Sequence, residues 1–127
     1  MYGVEKKRAT VLVADDEECL RNMVKAYLEQ CGHEVLAAGN SAEALRIART
    51  FEGTIRLLLT DMRMPGMGGE ALAEAFRAQH PEAHVVCMTA DPLSEARKRL
   101  PGTRFLPKPF DLDELSEVVR ASLACGV

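Results

Sequence analysis

The chain has no apolar run approaching the roughly 18 residues that a membrane span requires. Its opening, Met1-Tyr2-Gly3-Val4-Glu5-Lys6-Lys7-Arg8, carries no hydrophobic stretch of the kind a secretion signal needs, so a cytoplasmic location is expected. It also lacks any CxxC pair. Cys19, Cys31, Cys87 and Cys125 stand far apart with no histidine at metal-ligand spacing, so they read as reduced, small core residues rather than zinc ligands. Positive charge is not in excess: 16 Lys and Arg against 19 Asp and Glu give a net charge of -3. That balance removes any general attraction to nucleic acid or to an anionic membrane. No internal repeat, linker or biased tract appears, and 9 Gly with 6 Pro exclude collagenous and low-complexity classes. What remains is an ordinary globular composition, 47% hydrophobic and 28% charged over 127 residues. A single domain of that size can build its own core without disulfides or metal, and a separate output module within these residues is not expected.

Strand-like and helix-like patterns alternate from end to end. Short runs rich in Val, Ile and Leu at 11–14, 33–38, 55–60, 84–88 and 105–106 suit strands covered on both faces. Between the first two, Leu20, Met23, Val24, Tyr27, Leu28 and Cys31 recur at helical spacing as one apolar stripe, with Gly32 as its stop. A second helix should start at Asn40, with Glu43 reaching back as its capping partner, and fade before Gly53. A third, over about 71–79, ends ahead of Pro81. Asp91-Pro92 reads as an N-cap followed by proline in the first helical position, and Pro101 stops this fourth helix after about two turns. Asp111 and Glu114 form a capping box for the fifth, whose buried face is Leu112, Leu115, Val118, Val119 and Leu123. The favoured architecture is α/β: a doubly wound (βα)5 parallel sheet, flavodoxin-like, in strand order 2-1-3-4-5, with a short fourth helix.

In such a sheet, ligands bind beyond the carboxyl ends of the strands, at the switch point between strands 1 and 3. The predicted strand 1 ends in Asp15-Asp16, strand 3 in Thr60-Asp61, strand 4 in Thr89, and Lys108 follows strand 5. Asp15, Asp16 and Asp61 should therefore converge, with Thr89 and Lys108 on the far side. Three clustered carboxylates repel by about 4 kcal/mol per pair at roughly 4 Å and an effective dielectric near 20, so they need a cation or must bind protons. Oxygen-only ligands suit a hard, partly hydrated ion such as Mg²⁺. A carboxylate facing a metal, an ammonium and a hydroxyl can act as a nucleophile toward phosphorus.

Four stretches, Val-Leu-Val-Ala-Asp15-Asp16-Glu, Leu-Leu-Thr-Asp61-Met-Arg-Met-Pro65-Gly-Met-Gly68-Gly, Met-Thr89-Ala90 and Phe105-Leu-Pro-Lys108-Pro109-Phe110, resemble in order and spacing the receiver domain of two-component response regulators. The resemblance covers essentially the whole chain, 1–127, with a core of about 9–124. It implies that Asp61 is the phosphoacceptor for a phosphoryl group from a histidine kinase or phosphotransfer protein. It further implies that Mg²⁺, with Mn²⁺ as an alternative, is held by Asp16 and Asp61 directly, by Asp15 largely through water, and by the backbone carbonyl of Arg63. Lys108 would pair with the phosphoryl oxygens behind a cis Lys108-Pro109 bond. Thr89 would move to hydrogen-bond one of those oxygens while Phe105 turns inward. Phosphorylation would then switch the conformation to regulate an unidentified output partner or fused domain, with no direct nucleic-acid contact and no membrane insertion. A phosphorylation-dependent dimer is among the states left open. The family places lifetime-tuning residues where Arg63 and Asp91 stand. The compressed stretch 90–107 and the wording around Lys108 lean toward receivers fused to sensor kinases.

Blander readings exist for other residues. The side chain of Arg63 reads as a solvated rim residue, Met62, Met64, Met67 and Met88 as fillers of irregular space, and Lys6-Lys7-Arg8 and Arg97-Lys98-Arg99 as solvated surface. His33, His80 and His84 share no helical face and are assigned no catalytic role. Two competing functions are an interaction-only receiver that is never phosphorylated, and an aspartyl-phosphatase resembling the haloacid dehalogenases. The latter family places a second aspartate two residues after its nucleophile, where this chain has Arg63. A nucleotide or flavin site is disfavoured because the loop after strand 1 is acidic, where a phosphate cradle needs glycines and free N–H groups.

Overall fold

Strand and helix alternate throughout residues 9–124, the part of the chain that the computed structural model describes. The elements are β1 (Thr10–Ala14), α1 (Glu18–Gln30), β2 (Glu34–Ala38), α2 (Ser41–Thr50), β3 (Ile55–Asp61), α3 (Gly69–Gln79), β4 (His84–Thr89), α4 (Leu93–Arg99), β5 (Arg104–Pro107) and α5 (Leu112–Ala124). The five strands form one parallel sheet in the order β2-β1-β3-β4-β5. This is the doubly wound, flavodoxin-like arrangement that the alternation predicts.

The sheet is buried on both sides because successive strand residues serve opposite cores. Along β1, Val11 and Val13 join a cluster with Val24 and Leu28 of α1 and Leu115 and Val119 of α5. Leu12 and Ala14 join the other, with Ala44 of α2, Leu72 and Phe76 of α3, and Ala96 of α4. All four β1 residues are fully buried. The acidic residues that follow β1 are thus carried on its most constrained strand tip.

Local sequence signals account for most helix ends. Gly32, at φ 100°, ends α1: its N–H bonds to the Glu29 carbonyl at 3.0 Å and that of His33 to the Leu28 carbonyl at 3.1 Å, a Schellman pair that glycine makes inexpensive. At α5, Asp111 and Glu114 satisfy each other's backbone N–H groups at 2.8 and 2.9 Å, the capping box expected. At α2, the Asn40 side chain accepts from the Glu43 N–H at 2.8 Å, but Glu43 reaches one residue further back than expected, to the N–H of Gly39. The fourth helix is short, seven residues between Pro92 and Pro101.

Several expectations fail, each for a packing reason. Pro92, not Asp91, occupies the N-cap of α4, because the Asp91 carboxylate is engaged by Arg63. Helix α3 begins at Gly69, two residues earlier than its apolar pattern suggests. Cys19 is exposed and Cys31 half-buried, at the two ends of α1; among the described residues only Cys87, on the inner strand β4, is a core cysteine. Met23, Met67 and Leu112 are also exposed, so only part of each apolar pattern is used, whereas Met62, Met64 and Met88 are buried as fillers. The Arg97-Lys98-Arg99 run is solvent-facing, with Arg99 also 3.6 Å from Glu70. Cys125 and Lys6-Lys7-Arg8 lie outside the described residues.

Burial pushes the Cys87 thiol up from 9.0 to about 12. Because the folded value lies above the ordinary one, the stabilising contribution is complete below pH 9 and is lost as pH rises toward 12. Iodoacetamide at pH 8 followed by mass spectrometry should label Cys19 quickly and Cys87 only on unfolding. Cys87→Ala should flatten the loss of thermal stability between about pH 9 and 12.

Candidate functional site

Strand register assembles the site before any side chain is considered. Ala14 pairs with Thr60 and Met88 with Asp61, which sets Asp15 level with Asp61 and Thr89 one step beyond. Thr89 pairs with Pro107, and the Lys108 N–H bonds to the Thr89 carbonyl at 2.8 Å, continuing the β5 ladder past its last residue. Because all strands are parallel, these residues emerge at a single edge.

The carboxylates do converge. One oxygen from each of Asp15, Asp16 and Asp61 lies within 4.8 Å of the others, with Asp15 and Asp61 buried and Asp16 exposed. Lys108 Nζ lies 3.1 Å from Asp61 Oδ2, and the Arg63 N–H donates to Asp61 Oδ1 at 3.2 Å. Thr89 is buried at the same edge, and its hydroxyl oxygen accepts the Asp91 N–H at 2.9 Å. Phe105 is half-buried, packs on the α2–α4 side of the sheet, and pairs with Cys87 two residues before Thr89. The Lys108-Pro109 bond is cis. All the residues singled out from the sequence therefore lie at or just beneath one sheet edge. The Arg63 side chain is solvent-facing as expected, but it is not merely solvated: it forms a bidentate ion pair with Asp91, which holds the guanidinium even more firmly charged than usual.

The electrostatics favour a bound cation. Burial, opposed by the hydrogen bond from the Glu17 N–H and reinforced by the Asp61 charge, raises the pKa of Asp15. Its Oδ1 accepts that N–H at 2.9 Å, while its buried Oδ2 has no hydrogen-bond partner. An orphaned carboxylate oxygen beside two more carboxylates, all within ligand reach of one another, is the donor set of a hard divalent ion. Lys108 offsets one of the negative charges. The residues present fit Mg²⁺.

Two supporting residues escape a reading of the sequence. Arg21, on α1, donates from Nη1 to the Asp15 carbonyl at 2.9 Å and so fixes the turn that carries the acidic pair. In sequence it is one more polar position on an amphipathic helix. Gly69, at the start of α3, passes so close to β3 that a Cβ there would run into the Asp61 carbonyl oxygen and lie 2.9 Å from Met62 Cα. The Gly68-Gly69 pair signals a turn, yet only the fold reveals which of the two must lack a side chain.

Fold and site together define a flavodoxin-like α/β protein with a carboxylate cluster and a lysine at its switch point. Residues 11–120 match the response regulator receiver domain, and the chain belongs to that family of two-component signalling domains. It is 36% identical over 118 residues to the DNA-binding transcriptional regulator NtrC of Azospirillum brasilense, a match covering 91% of this chain and 24% of that protein. It is 31% identical over 118 residues to the sensor kinase CckA of Brucella abortus, covering 91% of this chain and 12% of that one. The crystal structure of the receiver domain from the hybrid histidine kinase CckA superposes with a TM-score of 0.79 at 35% identity, covering 91% of this chain and 99% of that one. The chain thus spans a quarter or less of the curated relatives. Among the described residues, no helix is long and apolar enough to cross a membrane.

Because Asp15 has its pKa raised, its charge opposes folding once pH exceeds the carboxylate range in the absence of a cation. Asp15→Asn keeps the acceptor for the Glu17 N–H and removes the charge. At neutral pH without divalent ions the variant should melt a few degrees higher, because a buried negative charge beside Asp61 is removed. It should also lose most of the rise in melting temperature that Mg²⁺ gives the parent chain. Thermal melts with and without 10-fold steps of about millimolar Mg²⁺ distinguish these outcomes.

Proposed function

We propose that this receiver domain takes a phosphoryl group onto Asp61 from the phosphohistidine of a histidine kinase or phosphotransfer protein, with Mg²⁺ bound, and thereby changes its affinity for an output partner or fused domain. The observation that carries this reading is the convergence of Asp15, Asp16 and Asp61 with Lys108 Nζ 3.1 Å from Asp61 Oδ2.

Asp61 and Asp16 would ligate the ion directly, with Asp15 acting largely through water and the Arg63 carbonyl completing the protein ligands. Bound Mg²⁺ would neutralise charge on the phosphoryl oxygens. The remaining work belongs to the chain. The Asp61 carboxylate attacks phosphorus; an O–P bond forms as the N–P bond to the donor imidazole breaks, and the bonding pair returns to that ring nitrogen. Lys108, held only 24% exposed, presents a fixed ammonium to the charge that develops on the transferring group. Thr89 lies one register step beyond Asp61, where its hydroxyl can turn to a phosphoryl oxygen. Inward rotation of half-buried Phe105 along the same strand pair would fill the space that movement vacates.

The aspartyl-phosphatase alternative needs a mobile acid/base two residues after the nucleophile. That position is Arg63, whose side chain is committed to Asp91. The relatives' names, a transcriptional regulator and a sensor kinase, indicate that receivers of this type serve more than one output, so the partner stays defined only by its preference for the phosphorylated surface.

Incubation with Mg²⁺ and acetyl phosphate, read by intact-protein mass spectrometry, should add one phosphate. Asp61→Asn should abolish the gain, and Lys108→Ala should slow it by about 100-fold, the scale of losing one preorganised electrostatic donor. Labelling that survives Asp61→Asn would remove Asp61 from the role.

A further inference from the structure

The Arg63 guanidinium and the Asp91 carboxylate meet with Nη2 2.9 Å from Oδ1 and 3.0 Å from Oδ2, and with Nε 3.2 Å from Oδ1. Arg63 stands on the loop leaving β3 and Asp91 on the loop leaving β4, so the pair bridges two adjacent strand tips. Each partner's own backbone is bonded into the site. The Arg63 N–H donates to Asp61 Oδ1 at 3.2 Å, and the Asp91 N–H donates to the Thr89 hydroxyl oxygen at 2.9 Å. A continuous chain of contacts results, running from Asp61 through Arg63 and Asp91 to Thr89.

We infer that the Arg63–Asp91 ion pair is a latch that holds Thr89 in its resting position against the β4–α4 loop and opposes its movement toward Asp61. The inference rests on the reading of Asp61 as phosphoacceptor. The Thr89 hydroxyl oxygen is tied to the Asp91 N–H, so movement of that hydroxyl toward a group on Asp61 pulls on this bond, and Asp91 is fixed from its other end by two prongs of a planar guanidinium. A planar fork restrains a carboxylate in position and orientation, which a single ammonium contact does not. The anchoring is asymmetric: the Asp91 side chain is 18% exposed and that of Arg63 68%. The guanidinium, nearer solvent, is therefore the partner that can transfer to another anion. A negatively charged group on Asp61 offers the guanidinium a second anion within the same loop, and its transfer to that anion would release Asp91 and Thr89 together. A partly exposed pair contributes modestly, so the latch biases the equilibrium between two positions of Thr89 without locking either.

The test follows the Thr89 methyl group by NMR in the full chain with saturating Mg²⁺, using beryllofluoride as the probe of the group on Asp61. In the parent chain, the free and beryllofluoride-bound shifts define the two ends of a line. Asp91→Asn and Arg63→Gln, each without beryllofluoride, should move the methyl along that line and raise the turned fraction about two- to fivefold, the scale of a partly exposed ion pair. The charge-swapped double variant R63D/D91R should return it toward the parent position. A methyl that stays at the parent position in both single variants overturns the latch, as does a swap that behaves like the single variants. Beryllofluoride that fails to bind the parent chain, or binds Asp61→Asn equally well, overturns the phosphoacceptor reading and the latch with it. Failure confined to the variants overturns the latch alone.

Discussion

Burying a carboxylate without a full set of partners is the constraint on which the rest of this structure turns. Asp15 is fully buried, one of its oxygens is orphaned, and Asp61 adds a second buried negative charge beside it. A fold tolerates such an arrangement only when something rigid prevents the carboxylates from relaxing into water. Here the rigidity comes from β1 and β3, whose residues pack on both faces of the sheet, and from the Arg21 contact with the Asp15 carbonyl. Stability is given up at this strand tip, and on the proposed function a bound cation would restore it.

The same constraint explains the surrounding fittings. Lys108 reaches Asp61 from two strands away because the β5 ladder runs one residue past its end, through the Lys108 N–H and the Thr89 carbonyl. Gly69 lets α3 start directly against the Asp61 backbone, and Ser41, at the start of α2, donates to the Met67 carbonyl at 2.7 Å, holding the loop between β3 and α3. The centre of the site is therefore braced from several elements. Its rim, where Arg63 meets Asp91, is held by an ion pair nearer solvent.

Much of this was legible in the chain itself. Val11-Leu12-Val13-Ala14 announces a strand buried on both faces, and the polar residues directly after that run and after the 55–60 run point to one sheet edge. The capping box of Asp111 and Glu114 and the glycine stop of α1 are local events, determined within a few residues, and they form as the sequence suggests. Asp91 is the instructive failure. Locally it is a good N-cap, yet a bidentate arginine 28 residues earlier in the chain competes successfully for its carboxylate. Cys19 and Cys31, at the two ends of α1, also miss the core, whereas Cys87 on β4 is buried as expected.

Sequence by itself determined the order of elements and the identity of the acidic, basic and hydroxyl groups at the strand tips, because these depend on periodicity and on residue type at a strand's end. Tertiary structure alone decided which carboxylate oxygen is left without a partner, which glycine must lack a side chain, and that Arg63 and Asp91 link Asp61 to Thr89. Those are relations between atoms brought together by strand register across dozens of residues, and no pattern along a single strand or helix encodes such distances.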